Sequence, residues 1–385
     1  MRIFLALLLT SVVLAGCDRT PPDTTSQKSQ PATETEATEP ASEEWPQALL
    51  QEAQRAHRAL QEATEQLAQA VGLFLAEPGD DSLQAARDAW RHAHQAYKAV
   101  EVYQSLNLTP VETAPSPQFQ VHHSLSSRLD LHPLEPGYLD AVEGYPYSGL
   151  VFAESVPITP ESLNEQHQFS DTAYVVLGFH PVEFLLWGEN RNQQSHRSWH
   201  DFERQSQEPS SQADDQGPAK LRRRQLLSII TNQLAQDIGI LCQAWQLPEG
   251  HYPSQFLKLP PADQHNRIRR ALLQTLEQEI NAPLQAALVT TNPQDGQPPE
   301  SVFSQNTQQD LLAVLDSVDQ ILSKSRLLSP EGQEAVIQLS QQLRLEISQI
   351  QGPLFDAKAE HQERLRQAQS LATAMLNKLS AEPSS

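Results

Sequence analysis

The chain has 385 residues, 48 of them acidic and 27 basic, for a formal charge of −21; 38% are apolar and 6% aromatic. A polyanion would be repelled by that balance, which excludes nucleic acid as a partner and makes cations and cationic partners the natural counterparts. With only 14 glycines, and much Ala, Gln, Leu and Glu, the composition favours helices.

The first residues read MRIFLALLLTSVVLAGC. Arg2 precedes an apolar run from Ile3 to Leu14, a secretory signal layout too short for a membrane-spanning helix. Leu14-Ala15-Gly16-Cys17 resembles a bacterial lipobox, which predicts cleavage before Cys17 and a lipid on its thiol. Asp18 resembles a signal that retains such proteins at the inner membrane. A lipidated Cys17 leaves Cys242 as the second of two cysteines, so no intrachain disulfide is expected and stability must come from a core. Residues 18–44 are Thr, Pro, Ser, Gln and Glu with almost nothing apolar, and read as a disordered tether.

About 340 residues follow, enough for two compact halves by the usual size rule. The expected fold is all-α: two packed helical-bundle halves, 45–204 and 219–385, joined by a polar linker at 205–218, with a long irregular segment in the first half. Leu60, Leu67, Val71 and Phe74 mark an early helix starting near Pro46. In DAWRHAHQAYKAVEVY (88–103), Trp90, His94, Tyr97 and Glu101 fall on one helix face. Two aromatics there predict burial, and the histidine and glutamate then need partners, unless Glu101 reaches the rim.

Residues 107–175 are rich in Pro, Gly, His and aromatics and read as packed loops. Beyond them Leu227, Ile230, Leu234, Ile238, Leu241 and Trp245 form a single stripe. Leu311, Leu315, Val318 and Leu322, then Val336, Leu339, Leu343 and Ile350, mark two more helices. The last follows Gly352-Pro353 and carries Leu354, Leu365, Leu371 and Met375. His361, on its stripe, reads as a hydrogen-bonded core residue. Arg222, Arg223 and Arg224 read as a solvated face or as salt-bridge partners of the acidic surface.

GFHPVEFLLWG (178–188) sets His180 three residues before Glu183. Pro181 suits a first helical turn, so Glu183 at the third position can fold back on the helix start. The same spacing also puts both side chains on one face, and imidazole plus carboxylate is a usable ligand pair for zinc, iron or copper. A second His-x-x-Glu, His200 to Glu203, lies on a polar stretch and reads as accidental.

Gly178, His180 and Glu183, with the Phe-Leu-Leu-Trp-Gly run, resemble the G-x-H-x-x-E signature of the imelysin family of bacterial envelope proteins. Trp90, Tyr97 and Glu101 resemble that family's early helix. RLDLHPLEPGYLD (128–140) is similar to its Asp- and Pro-containing loop, and ESVFSQNTQQDL (300–311) to a later F-S-x-N-T segment. The resemblance implies two packed bundle halves with the signature near their interface, and a metal site made of His180 and Glu183 with Glu101 and Asp130 as neighbours. Family members include iron-regulated lipoproteins, parts of iron-uptake systems and proteins described as metallopeptidases.

The later segment departs from relatives: Pro299, Glu300, Val302, Gln305 and Gln308 stand where some carry Glu, His, Cys, Asp and a second His. No ligand role is carried over to it, and Thr307 with Asp310 reads as a helix cap with an acidic third position. The functional expectation is a membrane-anchored lipoprotein facing the periplasm that holds a metal ion, iron ahead of zinc, or a metal-loaded ligand, within an iron-uptake system. The alternative is a zinc peptidase with Glu183 as its base. It is weakened by the absence of an H-E-x-x-H motif and by the want of further ligands. A metal-free cleft for an organic anion or polysaccharide is a third reading.

Overall fold

A computed structural model of the chain describes residues 44–381 except 107–124, 126–127, 192–193, 196, 205–216, 247–250, 290–299, 326, 351, 353 and 355–358. The signal layout, Cys17, residues 18–43 of the tether, residues 205–216 of the polar linker, and His122 and His123 in the irregular segment lie outside the described residues, while Gly217 and Pro218 already belong to a helix.

The chain is all-α, with residues 43–385 in a single compact unit. Helix α1 runs Glu44–Ala76 and α2 Asp80–Lys98, followed by one turn, α3 (Glu101–Gln104). Short helices α4 (Pro136–Leu139) and α5 (Pro160–Gln166) interrupt the irregular region before α6 (Phe179–Trp187). A hairpin of two-residue strands, β1 (Asn190–Arg191) and β2 (Gln194–Ser195), leads through a 3-10 turn at Trp199–Phe202 to α7 (Gly217–Gln243) and α8 (His251–Leu257). Helix α9 (Pro261–Thr275) passes through a π turn at Leu276–Asn281 into α10 (Ala282–Val289). The chain closes with α11 (Thr307–Ser325), α12 (Pro330–Ser348) and α13 (Ala359–Ala381). Among the described residues no helix is long and apolar enough to cross a membrane.

The apolar stripes read from sequence are the packed faces: Leu60, Leu67, Val71, Phe74, Leu227, Ile230, Leu234, Ile238, Leu241 and Trp245 are all buried. Helix α1 packs along α2, α7 and α11, so helices from both ends of the chain share one core. Helix α2 opens with Asp80 and Asp81, carboxylates that suit a helix N-terminus. It stops at Lys98, where the Val100 N–H turns back to Tyr97 O at 3.0 Å in a tighter 3-10 link. The single helix expected over 88–103 is therefore broken before Glu101.

Helix α6 has no polar face; all nine of its residues are buried. A helix surrounded by protein on every side must find partners for any polar group it carries. Its last turn is held by Arg87, whose Nε and Nη2 donate to Leu186 O at 3.1 and 3.0 Å. Its start is tied to α2, since Trp90 Nε1–H donates to Phe179 O at 2.9 Å.

The arginine run is the clearest departure from the sequence reading. Arg223 is buried and grips buried Asp140, with Nε to Oδ2 at 2.5 Å and Nη2 to Oδ1 at 2.9 Å. Arg222 donates to the carbonyls of Leu150, Val151, Ala153 and Val156, and Arg224 to those of Phe202 and Leu75. These cations organise loops rather than coat a surface, because the irregular region leaves carbonyl groups that no ladder satisfies.

Candidate metal centre

Gly178 brings the centre together. It sits at φ 104°, and a Cβ there would lie 2.4 Å from both Arg128 O and Leu129 O. Only glycine allows residues 128–130 to run this close to the start of α6. The close approach sets Asp130 against His180. Arg128 anchors the same segment, donating Nη2–H to Asp237 Oδ1 at 2.6 Å.

Four side chains meet there: His94 from α2, Asp130, His180 from α6 and Glu300. One ligand-capable atom from each lies within 4.8 Å of the others, and all four are buried or nearly so. His94 Nε2 is 2.9 Å and His180 Nε2 3.1 Å from Asp130 Oδ1. Glu300 Oε1 is 3.8 and 3.9 Å from the same two nitrogens. Ligand atoms bound ~2.0–2.2 Å from one ion lie roughly 3–4 Å apart, so this set is spaced to share a cation. The donor set of two imidazoles and two carboxylates suits zinc or iron. His180 Nε2 is buried and makes no aligned hydrogen bond, so on loss of its proton it would offer a lone pair to the cluster.

Each histidine is backed by a second carboxylate. His180 Nδ1 donates to Glu183 Oε2 at 3.0 Å, and His94 Nδ1 to Asp310 Oδ1 at 3.0 Å. Because a carboxylate only accepts, each contact fixes the proton on Nδ1 and leaves Nε2 for a metal. Glu183 Oε1 accepts from the N–H and the hydroxyl of Ser304, both at 2.7 Å. Asp310 also accepts from Ser301 Oγ and Asn306 Nδ2, each at 2.7 Å.

Burial opposes charge on His94, but Asp310 and Asp130 outweigh it and hold the ring pKa well above its ordinary value. Against the same burial, Asp130 and Glu183 raise His180 to about 9. Asp130 is held well below the usual carboxylate range: burial works against this, but Lys98 and the histidines prevail. Burial pushes the Glu300 carboxyl up to about 8.

Of the residues singled out from sequence, His180 and Asp130 lie in the cluster. Glu183 stands behind His180, bonded to its Nδ1 rather than capping the helix, and is not one of the four grouped side chains. Glu101 lies to one side, its Oε1 accepting from Lys98 Nζ at 3.2 Å. The cap expected of Thr307 and Asp310 is also corrected. Thr307 is already helical and donates to Glu300 O, while Asp310 is turned to His94. Glu300, set aside because relatives have histidine there, is in the cluster. His94 needed a partner on the sequence reading and has two. Lys98 was missed, although it lies four residues after His94 and so on the same side of α2. The accidental pair is indeed different in setting: His200 and Glu203 meet at 2.7 Å with half or more of the imidazole in solvent.

Glutamine at 183 would keep one acceptor for two demands, so either His180 or Ser304 would face an amide N–H. A metal affinity loss of about 10- to 100-fold is expected for Glu183→Gln, read by competition with a chromophoric chelator.

A helical protein with a buried two-histidine, two-carboxylate cluster defines the class, and the comparisons place it. The imelysin family model matches residues 53–383, and the chain belongs to that family. No curated protein matches the chain. Among solved structures it is similar to an iron-regulated protein A precursor from Parabacteroides distasonis, at 14% identity and TM-score 0.60, over 90% of this chain and 96% of that one. It is also similar to an imelysin-like protein from Psychrobacter arcticum, at 14% identity and TM-score 0.54, over 88% and 93% of the two chains. At these identities the likeness speaks for the fold.

Proposed function

We propose that this chain is an envelope lipoprotein, anchored through Cys17 and facing the periplasm, that holds one metal ion among His94, Asp130, His180 and Glu300. Iron is the favoured metal and zinc the alternative, and the role is in metal uptake. One observation carries the reading: two buried imidazoles, each oriented by its own carboxylate, turn their Nε2 atoms onto a shared pair of carboxylates. The iron-regulated name of the Parabacteroides protein supports iron. Binding is preferred to hydrolysis because Glu183, the candidate base, has both oxygens engaged, by His180 and by Ser304.

The test is titration of the unlipidated chain with iron, zinc and copper beside a His94→Ala/His180→Ala variant. About one equivalent of metal in the wild type, lost from a variant of unchanged helical content, is the expected result. Equal retention by both proteins, or none by either, would sink the reading.

Acidity gives an independent check. His180 keeps its proton to about pH 9 in the metal-free chain, whereas an unfolded histidine titrates near ~6.5. A raised value means that this group's stabilisation is complete below the unfolded pKa and is lost as pH climbs through the folded one. Metal binding needs the neutral ring, so affinity should move oppositely, rising about tenfold per pH unit up to roughly pH 9 for each proton displaced. Binding isotherms and melting curves at the same pH values measure both trends.

A further inference from the structure

We propose that Lys98 is the resident second cation of this centre and limits it to one metal ion; the inference rests on the metal site proposed above. The Lys98 side chain is 3% exposed, yet its ammonium faces four carboxylates. It lies 2.8 Å from Asp130 Oδ2, 3.2 Å from Glu101 Oε1 and 3.1 Å from Glu279 Oε2, and pairs closely with Glu300 Oε1.

Asp130 is therefore split between two partners. Its Oδ1 faces the two imidazoles and its Oδ2 faces Lys98. Glu300 Oε1 likewise lies between the imidazole nitrogens and the ammonium. Carboxylates that join two neighbouring cation positions are the framework of two-metal sites, where the ions sit ~3.5–4 Å apart and clamp a substrate oxygen between them. Here the second position is occupied by a covalently attached charge.

The surroundings of that charge are built for it. Glu279 lies on the π turn between α9 and α10, a local widening that places its carboxylate over Lys98. Glu101 opens α3 immediately after the break in α2, and its Oε2 is buried without a hydrogen-bond partner. A single ammonium has three N–H bonds to offer four carboxylates. The cage thus carries more acceptor capacity than lysine uses, and all-oxygen cages suit hard divalent cations.

Two consequences follow for the wild-type protein. The ammonium ties Asp130 Oδ2, so Asp130 meets the metal through Oδ1 alone, while Glu300 Oε1 is shared between the ammonium and the metal position. The charge already present also disfavours a second ion, which separates this centre from two-metal hydrolases.

The test is manganese stoichiometry of the full chain, wild type against Lys98→Met, by metal analysis after desalting and by titration. About one ion in the wild type and about two in Lys98→Met are expected. Lys98→Arg, and Lys98→Met combined with Glu101→Gln and Glu279→Gln, should each return to one. Removing the ammonium leaves buried carboxylates in mutual repulsion, so Lys98→Met is also refolded over graded manganese. Folding recovered with two ions bound supports the proposal. A folded variant with one ion, or a chain that stays unfolded at every manganese concentration, overturns it. A wild type that binds no ion, with iron and zinc as with manganese, is a separate outcome, refuting the metal site itself.

Discussion

Replacing Gly178 with alanine is expected to destabilise the chain by roughly 3 kcal/mol or more and to weaken metal binding at least about tenfold. Both effects come from one contact. The glycine holds φ 104°, a conformation that a β-carbon penalises, and the new atom would fall 2.4 Å from two backbone carbonyl oxygens. Those oxygens belong to Arg128 and Leu129, main-chain atoms that cannot rotate away as a side chain would. Relief requires residues 128–130 to move off the start of α6, which carries Asp130 away from His180. Urea unfolding gives the first number and metal titration of the remaining folded protein the second. A loss below about 1 kcal/mol with unchanged affinity would mean that the close approach is not what assembles the centre.

Alanine at Asp140 should cost about 3–5 kcal/mol with no change in metal stoichiometry of the folded fraction. Asp140 is fully buried and serves two guanidinium groups: Arg223 bidentately, and Arg197, whose Nη2 is 2.9 Å from Oδ2. The Ala141 N–H adds a 2.8 Å bond to Oδ1. Removing the carboxylate takes the nearest counter-charge from two buried cations, the expensive way to break a buried pair. Burial works to raise the Asp140 pKa, but Arg197 and Arg223 prevail and hold it below the usual value. A depressed carboxylate contributes stability above its unfolded pKa, near ~3.9, and loses it as pH falls through the folded value. The gap between wild type and Asp140→Ala should thus be full at neutral pH and narrow in strong acid. Urea midpoints at pH 7 and pH 3 measure it, and a gap that widens in acid would contradict the assignment.

The contrast between these two substitutions separates scaffold from centre. Asp140 and its arginines lock the irregular region onto α7. Gly178 positions a ligand-bearing segment. The first should lower stability alone, the second stability and affinity together.

Much of this protein was determined by its sequence. Helical stripes follow from the spacing of apolar residues along one chain, a local property, and they are the buried faces observed. His180 could be singled out because Gly178, His180 and Glu183 are close in sequence, and Asp130 because its loop resembles the family's. What local order could not decide was which groups face each other. His94 and Asp310 are 216 positions apart and meet at 3.0 Å; Glu183 and Ser304 are 121 apart and meet at 2.7 Å.

The same limit explains the errors. Glu183 and Asp310 both sit near helix starts, where a carboxylate ordinarily finds backbone N–H groups, and the capping reading used only those neighbours. Tertiary packing offered each a stronger partner, a buried imidazole N–H. Arg223 read as part of a solvated face or as a partner of the acidic surface, whereas its partner is a buried carboxylate, Asp140, 83 positions away. Sequence fixes what each residue can do, through its own chemistry and its nearest neighbours along the helix. The tertiary structure alone decides which capacities are used, because the cost of burying a charge is settled by whatever distant group the fold brings beside it.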